Sequence, residues 1–157
     1  MATRPPAQHY FPGLSKLYSS CDELAYLLVR VAAGCILIPH GMQKLFGSFG
    51  GPGMNNFIGL MQKVGYLPTW APVLSWLIAL VEFGGGILLV LGLFTRPVAF
   101  AVLLFMLEAA RHHMGVGGFF WTRQGNEYPL FFAAVALLIL MRGGGPYSVD
   151  AKMGKEI

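Results

Sequence analysis

The sequence predicts an all-α fold, a polytopic membrane protein built as a four-transmembrane-helix bundle with a short interfacial helix in its first outer loop. Three observations carry this. Hydrophobic residues make up 55% of the chain and charged residues only 11%, against about 25% charged in a soluble domain. So little polar side chain cannot cover a soluble globule, and lipid must be the solvent. Four apolar runs stand apart, two of them comfortably within the roughly 17–25 residues that a span needs. Finally, several ionisable residues lie inside those runs, where charge is rare and has to be partnered.

The elements follow in chain order. Residues 1–23 read as an N-terminal cytoplasmic extension. Pro5, Pro6, Pro12 and Gly13 interrupt it, so it is not a signal peptide, whose apolar run would follow the first basic residues directly. Its aromatic content and its prolines suggest a non-helical segment that docks on a neighbour. The membrane domain spans 24–142. Its first span is 24–46, LAYLLVRVAAGCILIPHGMQKLF. In the loop that follows, NNFIGLMQKVG reads as the interfacial helix, with Phe57, Leu60, Met61 and Val64 on one face. Tyr66 and Trp70 suit the headgroup level.

The second span is 72–93, followed after a very short turn by the third, 97–114, so these two form a tight antiparallel hairpin. A Gly- and aromatic-rich loop, GVGGFFWTRQGNE, leads to the fourth span, 128–142. Both of these later spans reach membrane length only with their polar ends. Residues 143–157 read as a cytoplasmic C-terminal tail. Placing both termini in the cytoplasm puts Arg4, Lys16, Arg96, Arg142, Lys152 and Lys155 inside, the side that positive charge favours. The scattered cations form no nucleic-acid patch. Cys21 and Cys35, if on one helix, stand about 21 Å apart and cannot bridge; Cys35 reads as a small core residue.

The intramembrane polar residues are the functional candidates. Arg30, Gly34, Leu37, Gly41 and Lys44 fall within about 80° of one another on a helix, with His40 beside them. That basic, small-residue face must meet partners. Glu82, in the second span and followed by Gly84, Gly85 and Gly86, is the expected partner of Arg30 in a buried ion pair, brought close by the glycines. His40, Lys44, His112, Glu127 and Tyr128 are expected to share one depth toward the outer side, as a polar pocket able to hold a quinone-like headgroup. Glu108, Arg111 and His113 are secondary candidates. His40 with His112 could stand as axial haem ligands, but no H-x-x-x-H or C-x-x-C spacing supports a metal. The expectation is no haem and no other metal.

Three segments carry a resemblance: LLVRVAAGCILIPHGMQKLFGSFGGPG, LIALVEFGGGILLVLGLFTRPVA and GGFFWTRQGNEYPLFFAAVALLIL, with GPYSVD closing it. Together they resemble the DoxX family of small bacterial membrane proteins, over about residues 24–150. Arg30, His40, Lys44, Glu82, Glu127 and Tyr128 match the family pattern. The resemblance implies a four-helix bundle in the bacterial cytoplasmic (inner) membrane, associated with quinone-linked oxidation. It suggests an auxiliary or structural subunit of a quinone-linked redox complex, more a non-catalytic partner than an enzyme by itself. Its partners would be membrane lipid and other integral subunits or further copies of the chain. The alternatives are a stand-alone quinone-linked oxidoreductase and a small-solute transporter. The chain shows no dithiol, flavin or nucleotide motif for the first, and no inverted repeat or broken helix pair for the second.

Overall fold

A computed structural model describes residues 11–155. Those residues are all-helical, without strands: α1 (Pro12–Phe46), α2 (Gly53–Lys63), α3 (Ala71–Leu91), α4 (Thr95–Gly117), α5 (Glu127–Arg142) and a short α6 (Val149–Met153), with 3₁₀ turns at Ser48–Gly50 and Trp121–Arg123. Among them α3 and α4 are long and apolar enough to cross a membrane. The packing is pairwise. α1 lies along α3 and α4 along α5, the short α3–α4 hairpin joins the two pairs, and α2 rests on α3 and α1.

Small residues set the α1–α3 distance. A Cβ placed on Gly34 would come within 2.5 Å of the Gly86 carbonyl oxygen, and one on Gly41 within 2.4 Å of the Phe83 amide nitrogen. Only glycine permits that approach, so the backbones themselves are in contact. The α4–α5 side is filled by conventional packing of Val102, Met106, Phe132, Ala136 and Ile139, all buried. Much of the outer surface is leucine, phenylalanine and tryptophan, as a lipid-facing surface should be.

The helix ends follow local chemistry. α3 closes on Gly92 in the left-handed conformation (φ 68°), its amide and that of Leu93 returning to the last carbonyls of the helix. α1 likewise ends on Gly47 (φ 71°), whose amide bonds the Gln43 carbonyl.

The structure corrects several expectations. α1 begins at Pro12, inside the 1–23 extension expected to be non-helical; proline at the first helical position loses no hydrogen bond, since that amide would have no partner in any case. The helix therefore has 35 residues and runs about 52 Å. The docking role expected of the extension falls partly on residues 1–10, which lie outside the described residues. Cys35 is exposed rather than in the core, as is Cys21, and the two are not bridged. On α2, Phe57 and Met61 are buried against Ala71, but Leu60 and Val64 are exposed. The single apolar face therefore divides into one side toward the bundle and another away from it. Finally, residues 143–153 are not a loose tail. They fold back on the bundle, burying Gly143, Gly144, Ser148 and Asp150.

Candidate functional site

The expected Arg30–Glu82 pair does not form. Glu82, 3% exposed, is bound instead by Lys44, whose Nζ lies 2.6 Å and 2.8 Å from its two carboxylate oxygens. The reason is geometric. Helical side chains lean toward the helix N-terminus, so a lysine near the end of α1 reaches back toward mid-span and meets the centre of α3. Lys44 is further held by the ring of Phe57, 5.4 Å away on α2. Its remaining N–H points at the His40 carbonyl at 3.5 Å, too long to engage it firmly. His40 stands one turn before Lys44 on the same helix.

Arg30 is fully buried and serves the opposite end of the bundle. One terminal nitrogen donates to the carbonyls of Leu89 (2.5 Å) and Val90 (3.1 Å), the other to Tyr147 (2.8 Å). A cation at the end of α3 also meets the negative end of that helix dipole. Next to it Asp150 does the converse. Its carboxylate accepts from the amides of Phe94 and Thr95, both at 2.9 Å, and from the Thr95 hydroxyl at 2.8 Å. It thereby caps α4 from a distant part of the chain. Burial pushes its pKa up, but the bonds from Thr95 and Phe94 and the nearby Arg30 charge outweigh that and hold the carboxyl below its ordinary range. Tyr26 closes the assembly with a bond to the Gly143 carbonyl. Arg142 lies over the Tyr26 ring and pairs with Asp22 and Glu23.

The expected outer pocket separates into three places. Lys44 and His40 belong to the Glu82 cluster just described. Glu127 and Tyr128, with Trp121 and Phe131, line a cavity of about 450 Å³. His112 joins neither; its ring packs edge-on against His113, which contacts the Gln124 carbonyl at 2.7 Å. The secondary candidates form a clasp of their own. Glu108 receives two bonds from Arg111 (2.8 and 2.6 Å) and one from the Tyr66 hydroxyl (2.5 Å), tying the α2–α3 loop to α4. Burial, and then that bond to Glu108, raise the Tyr66 phenol above its usual range. Among the described residues no group of three or more His, Cys, Asp or Glu converges as a metal site would require.

Sequence reasoning missed the role of Asp150. The motif GPYSVD was visible and Ser148 is a good helix-capping residue, its hydroxyl accepting from the Ala151 amide. The second cap, on α4 some 55 residues earlier in the chain, has no local signature.

Comparison with known proteins agrees with this architecture. The DoxX family model matches residues 25–117, more than half of the chain. The chain belongs to the DoxX family. It is a DoxX membrane protein that is 31% identical over 145 residues to the inner membrane protein YphA of Escherichia coli (strain K12), covering 86% of this chain and 94% of that protein. It is also 37% identical over 79 residues to an uncharacterized protein of Haemophilus influenzae, covering 48% of this chain and 59% of that one. No solved structure matches. The DoxX match includes Arg30, Lys44 and Glu82 but stops before α5, so the Trp121–Phe131 cavity lies beyond it.

Proposed function

We propose that this DoxX protein is an auxiliary, non-catalytic integral subunit of a quinone-linked redox assembly in the inner membrane. In this reading α1, α3, α4 and α5 cross the bilayer, α2 lies at the outer interface, and both termini are cytoplasmic. The positive charge of Lys16, Arg96, Arg142, Lys152 and Lys155 at one end supports that orientation, and a relative whose name places it in the inner membrane supports the location.

The Lys44–Glu82 pair carries the functional reading. An ion pair at membrane depth is often no more stable than well-packed apolar residues of the same volume, so its presence asks for a use. Lys44 keeps a donor that the His40 carbonyl scarcely occupies, and its side chain is 17% exposed. That donor suits a quinone carbonyl oxygen, which can only accept. Glu82 holds the ammonium in place. Nothing in this cluster moves electrons, so the redox centres would belong to partner subunits.

The test is gentle purification of the native complex. The reading expects co-purifying redox subunits and bound quinone, and it expects Lys44→Met to lower the quinone-dependent turnover of the assembled complex. A preparation containing this chain alone without quinone, or an assembled Lys44→Met complex with unchanged turnover, would overturn it.

A further inference from the structure

The cavity between the 118–126 loop and the start of α5 has a composition that a quinone does not explain. Its walls are Trp121, Tyr128 and Phe131, three aromatic rings, and its one charged group is the Glu127 carboxylate. A quinone offers acceptors, and a carboxylate only accepts. Three aromatic side chains beside one carboxylate are instead the chemistry that attracts a substituted ammonium group. The ring faces are negative and the carboxylate supplies the full charge.

We infer that this cavity binds the substituted ammonium group of an organic cation. Among the described residues, the carboxylate at its edge carries no paired cation. Glu127 accepts one weak bond, from the Trp121 amide at 3.2 Å, and no lysine or arginine pairs with it among the described residues. Arg123 is close in sequence but does not line the cavity.

The loop backbone that carries Trp121 is also fixed before any ligand arrives. The loop is closed by the amides of Arg123 and Gly125 on the Phe120 carbonyl, of Asn126 on Gly118 and of Glu127 on Phe119. It is too tight for a side chain at Gly117, where a Cβ would come within 1.8 Å of the Arg123 carbonyl oxygen. Tyr128 is steadied by the ring of Phe132, 6.0 Å away. A backbone fixed in advance lowers the ordering cost of binding. The cavity's volume, about 450 Å³, accommodates a tetraalkylammonium head with room for a short chain, within the usual range for small-ligand sites.

Such a group could come from a soluble ammonium compound or from the headgroup of a membrane lipid, and one experiment separates them. The full chain, with Trp70 and Trp76 replaced by Phe so that Trp121 alone reports, is placed in phosphatidylglycerol nanodiscs and titrated with tetramethylammonium chloride. The expected result is a saturable change in Trp121 emission that sodium chloride at equal ionic strength does not produce. Glu127→Gln should weaken it about tenfold, the scale of one desolvated cation contact. The carbon analogue of choline, 3,3-dimethyl-1-butanol, matches the shape without the charge and should bind at least tenfold more weakly than choline. That comparison needs no variant, so it stands even where Glu127→Gln fails to fold. Repeating the titration in phosphatidylcholine nanodiscs assigns the source. Weaker tetramethylammonium binding there means that the lipid's own ammonium competes for the cavity, and equal binding means that the natural ligand is soluble. Either outcome supports the site. No saturable response in phosphatidylglycerol, or equal binding of choline and its neutral analogue, would overturn it. The inference is independent of the Lys44–Glu82 reading, and the failure of one leaves the other standing.

Discussion

Arg30 and Glu82 show what a single residue reveals and what it conceals. That both must be partnered was legible, because a charge in lipid is expensive wherever it sits. Which partner each takes was not. The choice depends on the axial stagger of α1 against α3 and on the backward lean of helical side chains, and Arg30 gives its two terminal nitrogens to backbone carbonyls, which charge counting does not see. The two residues should therefore be energetically separate. Glu82→Gln leaves the Lys44 ammonium largely buried and unpaired and should cost about 3–5 kcal/mol, while Lys44→Met with Glu82→Leu should recover much of it. Arg30→Gln strips charge-assisted bonds from three carbonyls and should also destabilise, by about 1.5–3 kcal/mol for each bond left unmet. A double-mutant cycle between positions 30 and 82, read from unfolding in mild detergent, should give a coupling below about 0.5 kcal/mol. A coupling of several kcal/mol would restore the direct pair.

Among the elements, α3 and α4 were legible within a few residues, because their apolar runs end on Gly92, Thr95 and the glycines after Met114. The start of α1 was misplaced because proline was weighed as a breaker when, at the first helical position, it is an accepted start. The C-terminal segment was misjudged because its anchors are long-range. Asp150 caps α4 and should be worth about 0.5–2 kcal/mol, measured as the loss on Asp150→Ala; Asp150→Asn isolates the part that depends on charge. Its carboxyl titrates lower in the folded than in the unfolded chain. That contribution is therefore complete above the unfolded aspartate value of about 3.9 and is lost as pH falls through the lower, folded value. The gap in melting temperature between the parent and Asp150→Asn should stay constant above about pH 5 and close progressively below about pH 4. A gap that widens on acidification would contradict the capping role. At the other contact, Gly41→Ala inserts a methyl group where Phe83 already stands. It should push α1 from α3 and destabilise the protein by about 1–3 kcal/mol; a melting temperature equal to the parent's would refute that backbone contact.

For the whole molecule, four apolar runs conveyed an all-helical membrane protein without any knowledge of contacts. The division of the outer polar residues into three sites was not readable, because depth along a helix can be counted from the sequence but azimuth around a bundle cannot. His112, Glu127 and Lys44 have similar expected depths and different neighbours. The proposed orientation has a natural probe. Cys21 is exposed near the start of α1, so in a Cys35→Ser background a membrane-impermeant maleimide should label it in inverted vesicles and not in intact spheroplasts. Labelling from the outer face would reverse the orientation.

α1 is one uninterrupted helix from Pro12 into the bundle, and its lower part stands beyond the segment bonded to α3. A continuous helix fixes angle as well as height. Each residue advances the axis by about 1.5 Å and turns it by about 100°. Removing one residue between Ser15 and Asp22 would leave the bundle untouched. It would swing Phe11 and Leu14 by more than a quarter-turn about the helix axis, like a key cut one notch out of phase. Whatever meets that end of the protein is met at a bearing set by residue count, so removing four residues together, a turn of about 400°, would bring that end back to within about 40° of its original direction.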